Sequence, residues 1–314
     1  MCNSPVLAAI DLGSNSFRLQ FARVEHGQLA LIDGLREPVR LAGGLDADGN
    51  LGAAARDRAL ACLNRFRELL HQIAPSAVRV VATNTLRIAR NSAEFLPQAE
   101  AALGLPIEII AGPEEARLIY LGVAHSLPDT SERRLVMDIG GGSTELILGS
   151  GFSTHRLDSL QLGCVGYSRR FFPEGRITAA ALANAVSAAS AVLASVSDDF
   201  ARANWDVAYG SAGTACVVSQ ILKLNGYSDG DLTRVALDAL YARLIELGDA
   251  SRLDLTGIKP DRTPVLPGGF AILYAVFQTL GIEHMRAAES ALREGVLQDL
   301  LNASGLRSER AETR

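Results

Sequence analysis

The sequence predicts an α/β protein of two domains, on three observations. Its 314 residues, 48% hydrophobic and 21% charged, suffice for about two cores of ordinary size. Apolar runs of strand character alternate with segments of helical period, as in chains that interleave strands and helices. A short pattern of apolar run, Asp, small-residue turn and apolar run occurs twice, at Asp11 and at Asp138, which reads as an internal duplication.

The elements follow in order. Residues 6 to 10 form an apolar run that ends at Asp11; after the turn Leu12-Gly13-Ser14-Asn15-Ser16 a second run alternates through Phe17, Leu19, Phe21 and Val24, predicting a β-hairpin. Between residues 53 and 73 the apolar positions Leu60, Leu63, Phe66, Leu70 and Ile73 recur at steps of three and four, with Arg56, Asp57, Arg65 and Glu68 between them, so an amphipathic helix is expected. A strand at 78 to 82, a helix around 92 to 103 and a strand at 107 to 110 continue the alternation. Residues 128 to 134 are polar and turn-forming and supply no core residue, which marks them as the hinge between domains at 1 to 128 and 129 to 314. The pattern then returns as Leu135-Val136-Met137, Asp138, Ile139-Gly140-Gly141-Gly142-Ser143-Thr144 and Glu145-Leu146-Ile147-Leu148; aligning the two Asp residues also aligns Gly13 with Gly140 and Ser16 with Ser143. A helix near 178 to 203 and a strand at 207 to 209 come next, then helices near 214 to 224, 233 to 247, 270 to 280 and 291 to 301. The last helix is expected to return to the first domain. The polar tail after Gly305 should fray.

Composition excludes several roles. With 30 Lys+Arg against 35 Asp+Glu and a net charge of −5, no global positive field attracts nucleic acid, and 5% aromatic residues do not make a base-stacking platform. A polyanionic substrate must be held by a local site. Cys2, Cys62, Cys164 and Cys216 stand apart with no C-x-x-C pair, and no basic, apolar leader opens the chain; reduced, buried thiols in a cytoplasmic protein are expected. Every apolar stretch is interrupted before the eighteen or so residues that a spanning helix requires, so no membrane partner is expected. His26, His71, His125, His155 and His284 lack ligand spacing, and Trp205 reads as a packing residue ahead of a strand.

The two matched turns are where chemistry is expected. Gly, Ser, Asn and Thr place backbone N–H groups and hydroxyls close together with few Cβ atoms in the way, an arrangement that suits an anion. Neither turn is followed by Gly-Lys-Ser/Thr, and neither opens a helix, so neither a Walker loop nor a dinucleotide fingerprint is present. One such hairpin is as well explained as a plain tight turn. Two copies, each with a carboxylate at its mouth, suggest phosphate held by Gly13, Ser14, Asn15 and Ser16 and by Gly140, Gly141, Gly142, Ser143 and Thr144, with a divalent ion near Asp11 and Asp138. A third small-residue turn, with Gly210, Ser211, Gly213 and Thr214, lies between a strand and a helix, where the helix N-terminus suits another phosphate or a nucleotide; a structural βα turn is the alternative.

Together with Thr83-Asn84-Thr85-Leu86-Arg87-Ile88-Ala89-Arg90-Asn91, Gly112-Pro113-Glu114-Glu115-Ala116-Arg117-Leu118, Leu266-Pro267-Gly268-Gly269-Phe270 and Ser290-Ala291-Leu292-Arg293-Glu294-Gly295, these turns resemble the exopolyphosphatase/guanosine pentaphosphate phosphatase family of the actin-like ATPase and sugar kinase superfamily. The resemblance implies two ribonuclease H-like domains facing each other across a cleft. It implies Glu115 as the carboxylate that activates or orients the attacking water, Arg87 as a phosphate holder, and Asp138 with Glu145 at the metal and phosphate end. It further implies Mg²⁺ and a homodimer. Hydrolysis of the terminal phosphoanhydride of inorganic polyphosphate is the activity ranked first. The alternative is removal of the 5′ γ-phosphate of guanosine pentaphosphate; a kinase or ATPase of the same superfamily and a non-catalytic nucleotide sensor rank lower. Glu115 also reads as a helix-start carboxylate beside Glu114, and Arg87 as a surface charge on a loop with Arg90 the binder in its place. Arg18 and Arg117 are weaker candidates for the same anion. Many members carry a further C-terminal module with a His-Asp signature, and no His-Asp pair occurs here.

Overall fold

A computed structural model describes residues 4–304, so Cys2 and the tail after Gly305 lie outside the described residues. The described residues fold as two compact units, the first formed by those up to 122 together with those from 292 onward and the second by residues 123–291. The division falls inside a helix, earlier than the loop at 128/129 that the sequence suggests.

In the first unit the apolar run before Asp11 forms β1 (Val6–Leu12), which turns into β2 (Phe17–Glu25) and β3 (Gln28–Glu37). Helix α1 (Ala53–Ile73) leads to β4 (Ala77–Ala82), a short α2 (Asn84–Ile88), α3 (Ser92–Leu103), β5 (Glu108–Ile109) and α4 (Gly112–Ser126). The strands lie in the order β3-β2-β1-β4-β5, antiparallel through the meander and parallel from β1 to β5. Alternate residues of β1, Ala8, Ile10 and Leu12, share one core with Leu63, Phe66 and Leu70 of α1 and Phe95 of α3, the face that α1's helical period predicts.

In the second unit β6 (Arg133–Ile139), β7 (Thr144–Ser150) and β8 (Ser153–Leu160) repeat the meander. Then come α5 (Cys164–Phe171), α6 (Ala179–Leu193), β9 (Val207–Ser211), α7 (Ala212–Leu224), β10 (Leu232–Thr233), α8 (Arg234–Leu247), α9 (Leu266–Leu280) and β11 (His284–Ala287). The chain returns to the first unit as α10 (Leu292–Ala303), which packs on β1 and β4. There it crosses α4 with the two backbones touching, for a Cβ on Gly295 would lie 1.8 Å from Leu118 O. Asp299 of α10 also accepts from Arg79 at 2.7 Å and from Arg117 at 3.0 Å.

The second sheet runs β10-β11-β9-β6-β7-β8, so β8-β7-β6-β9-β11 repeats the order of the first sheet. Each unit is a ribonuclease H-like α/β domain, and the duplication visible at two Asp residues extends over five strands.

Several expectations are corrected. The helix expected over 178 to 203 stops at Leu193. Beyond it Ser195 Oγ and Ser197 Oγ donate to the carbonyls of Val192 and Ala194, the local bonding by which serine competes with helix continuation. The polar stretch 128 to 134 does supply a core residue, since Arg134, the second residue of β6, is 1% exposed. Its guanidinium is buried because the same stretch solvates it, through Pro128 O at 2.5 Å and Thr130 Oγ1 at 3.1 Å. Thr263–Leu280 is long and apolar enough to cross a membrane by composition, yet in the fold α9 is a core helix, buried on all sides from Leu266 to Phe277. Cys62 and Cys164 are buried free thiols, whereas Cys216 is half-buried.

Candidate active site

Both hairpins close on the same spacing. Leu12 pairs with Phe17 and Ile139 with Thr144, leaving four residues in each turn. Gly13 and Gly140 sit at the pinch, where an added Cβ would come within 3.0 Å of Ser16 O and 3.1 Å of Ser143 O. Ser14, Asn15, Ser16 and Ser143 are buried, and Gly140, Gly141 and Gly142 are half-buried. The two copies differ in charge across the ladder: Asp11 pairs with Arg18, but Asp138 pairs with Glu145, so the second hairpin carries two carboxylates on one face.

In the first unit Asp11 Oδ1 is buried with no hydrogen-bond partner. Burial pushes the Asp11 carboxyl up to about 6, against the pull of Arg18 and Arg293 and helped by Glu294. Asn15 Nδ2 is likewise buried with no partner. Ser14 Oγ accepts from Thr85 Oγ1 at 2.7 Å, which ties the turn to α2. That short helix also carries Arg87, which therefore does not sit on a loop. Arg87 Nη1 donates to Ile110 O at 2.7 Å and to Glu115 Oε2 at 3.2 Å. Glu115 stands in the first turn of α4 and is 7% exposed, so the carboxylate and its arginine meet in a largely dry place. Arg117 is engaged elsewhere, with Glu114 at 2.7 Å and with Asp299, while Arg90 is exposed.

In the second unit Asp138 Oδ2 accepts from Ser211 Oγ at 3.2 Å, and Glu145 Oε1 accepts from Ser159 Oγ at 2.7 Å. All four residues except Ser159 are fully buried. Thr144 Oγ1 donates to Leu162 O at 2.6 Å and Thr214 Oγ1 to Ile139 O at 3.2 Å, so these hydroxyl protons hold the turns to the fold. Gly210 leaves room for Met285 and Ala215, whose side-chain atoms lie 2.9 and 2.7 Å from its would-be Cβ. Gly213, in the first turn of α7, faces Arg262, whose guanidinium nitrogens lie 2.6 Å from where a Cβ would stand. The Arg262 charge also opposes the burial that pushes the nearby Cys164 thiol up to about 11.

Thr85, Ser159 and Arg262 thus join the expected residues. No local pattern marks Ser159 or Arg262, and Thr85 stands in the segment 83 to 91 without a role of its own there, because each is brought in from a different element. In register, Asp11 pairs with Val81 of β4 as Asp138 pairs with Ser211 of β9, so the βα turns after β4 and β9 correspond; aligning those turns singles out the Thr83–Thr85 stretch.

Residues 21–304 match the Ppx/GppA phosphatase family model. A guanosine-5′-triphosphate,3′-diphosphate pyrophosphatase of Aeromonas salmonicida is 43% identical over 301 residues, which are 96% of this chain and 60% of that protein. This chain therefore spans about three-fifths of the length of such curated relatives. Among solved structures, the Aquifex aeolicus PPX-GPPA enzyme is similar at 26% identity and TM-score 0.76, covering 95% of this chain and 99% of that one. A Cytophaga hutchinsonii exopolyphosphatase shares the fold at TM-score 0.86 and 22% identity, covering 95% and 98%. A family model that runs across nearly the whole chain, on duplicated domains that each carry an Asp at the mouth of a small-residue turn, leads to one conclusion: the chain belongs to the Ppx/GppA phosphatase family.

Proposed function

We propose that this protein hydrolyses the terminal 5′ phosphoanhydride of guanosine pentaphosphate and releases inorganic phosphate. The sequence ranks polyphosphate first and guanosine pentaphosphate second. The activity for which the curated relatives at 43% and 42% identity are named supports the second.

The observation that carries the reaction type is Glu115, a buried carboxylate bound by Arg87 in the unit that also holds the turn Gly13–Ser16. Phosphoanhydride hydrolysis requires a water in line with the leaving oxygen, a base in reach of that water and positive charge on the transferred oxygens. Glu115 accepts the proton as the water oxygen bonds to the terminal phosphorus and the bond to the bridging oxygen breaks. Arg87 fixes the Glu115 side chain and offers the remaining guanidinium N–H groups to the phosphoryl oxygens. Backbone N–H groups of the turn Gly13–Ser16 bind phosphoryl oxygens in this unit; the second unit by itself offers an anion the turn Gly140–Ser143 and, at the start of α7, the Arg262 cation.

Mg²⁺ is the expected cofactor, and Asp11 fits one: an unpartnered buried carboxylate oxygen whose charge is disfavoured by burial suits a cation. Mg²⁺ is usually bound through one or two carboxylates together with water and substrate phosphates. Asp11 would hold it in the first unit, and when bound it would neutralise charge on the phosphoryl oxygens.

Phosphate release from guanosine pentaphosphate and from polyphosphate at equal concentration of terminal phosphate tests the reading. Faster release from the nucleotide is expected. Faster release from polyphosphate reverses the ranking, and no release from either without an added phosphate acceptor makes the protein a transferase.

A further inference from the structure

In a trans peptide the C=O and N–H point in opposite directions, so whatever takes the carbonyl also decides where the amide proton faces. No cis peptide occurs among the described residues. In the first turn, Ser14 O accepts from Ala42 N at 2.9 Å and Asn15 O from Arg40 N at 2.8 Å. In the second, Gly140 O accepts from Cys164 N and Gly141 O from Val165 N, both at 3.0 Å. The N–H groups of the same peptides, on Asn15, Ser16, Gly141 and Gly142, are therefore turned away from these donors, and they make no backbone hydrogen bond among the described residues. Two successive amides on one side are the arrangement that cradles an anion.

The donors in the second unit are the first amides of α5, groups that every helix leaves without an internal partner. They reach the turn because Gly163, the residue before α5, touches it. A Cβ on Gly163 would lie 2.3 Å from Gly141 O and from Gly142 Cα. Its φ of −130° and ψ of 141° are open to any residue, so backbone freedom does not explain the glycine; closeness does. The far side of the same helical turn is closed by α9. A Cβ on Gly268 would meet Ser168 N at 2.5 Å and Cys164 O at 2.6 Å, and Gly268 N donates to Ser168 Oγ at 3.1 Å. The turn is therefore backed by α5, and α5 by α9.

We propose that Gly163 and the leading amides of α5 are positioning elements for the phosphate turn: by taking the carbonyls of Gly140 and Gly141, they aim the amides of Gly141 and Gly142 at a phosphoryl group. Residues Arg40 to Ala42 do the same for Asn15 and Ser16. The proposal rests on the reading that these turns bind phosphate.

The test compares Gly163→Ala with Gly166→Ala, a change on the same helix where an added Cβ meets nothing within 4 Å. ¹⁵N amide shifts of Gly141 and Gly142 are followed while inorganic tripolyphosphate is titrated with Mg²⁺, beside guanosine pentaphosphate hydrolysis and thermal unfolding. Wild type and Gly166→Ala should show both amides shifting and equal turnover. A folded Gly163→Ala should lose those shifts and on the order of 100-fold in kcat/KM, as a positioning error near 1 Å does. If Gly163→Ala does not fold, Cys164→Pro takes its place: proline is accepted at the first helical position after an extended residue, and it removes the donor to Gly140 O. Wild-type amides of Gly141 and Gly142 that ignore tripolyphosphate overturn the proposal even if the nucleotide is hydrolysed. So does a folded Gly163→Ala or Cys164→Pro that keeps both the shifts and the turnover. Responsive amides in a wild type that hydrolyses no guanosine pentaphosphate support the proposal and sink the functional reading alone.

Discussion

Asp11→Asn should make the protein more stable and inactive. Asp11 lies on β1 with one carboxylate oxygen sealed from water and unpartnered, and its carboxyl is raised from 3.8 to about 6. The native state therefore holds a proton that the unfolded chain has lost between pH 4 and 6. The stabilising effect of that proton is complete below pH 3.8 and disappears as pH rises through 6; above it the buried charge opposes folding. A difference of about two pH units at about 1.4 kcal/mol each amounts to roughly 3 kcal/mol, an upper figure because the asparagine amide is itself a polar group that must be buried. Urea unfolding at pH 8 should show Asp11→Asn more stable by roughly 1–3 kcal/mol, and the gap should shrink at pH 4. Mg²⁺ should raise the melting temperature of the wild type and leave that of the variant unchanged. An asparagine variant no more stable than wild type at pH 8, or one still stabilised by Mg²⁺, refutes the assignment of Asp11 as a strained ligand carboxylate.

Other outcomes follow from the same geometry. Glu115→Gln should keep the fold and nucleotide affinity while kcat falls about 10²–10⁴-fold, the usual contribution of a positioned base; a fall below tenfold in single-turnover hydrolysis removes Glu115 from that role. Arg87→Lys cannot serve Ile110 O, Glu115 and a phosphate from one planar group, so kcat should drop about tenfold or more with the charge conserved. Undiminished turnover in that variant shows that charge alone suffices. Arg134→Met leaves Pro128 O without its buried donor and should lower stability by about 1–3 kcal/mol, with hydrolysis unaffected. Unchanged urea unfolding contradicts the structural role given to Arg134.

The repeat was the most legible part of the sequence because a turn between paired strands constrains several residues at once: the Asp, the pinching glycine and the closing pair fall on matching positions in both copies. Helix α1 was legible for a different reason, its long apolar period on one face. Strand β3 carries no such pattern. It is an edge strand whose Leu31 and Ile32 are 54% and 40% exposed, so no alternation of buried and exposed residues marks it. Within the site, Asp11 and Asp138 were visible by their place before a turn. The pairing of Arg87 with Glu115 and the seat of Arg262 against Gly213 depend on chain segments that only the tertiary fold brings together. Whether a hydroxyl in a small-residue turn is available to a ligand was equally invisible: Thr144 and Thr214 look like phosphate donors in sequence but give their protons to backbone carbonyls.

A crystal structure of the Glu115→Gln variant with guanosine pentaphosphate and Mg²⁺ tests the catalytic assignment most directly. The 5′-terminal phosphorus should lie against the side chain at 115, with a water in line behind it and its oxygens on Arg87 and the amides of Asn15 and Ser16. A terminal phosphate bound away from residue 115, with the 3′ phosphates or the base in that place, would contradict the account.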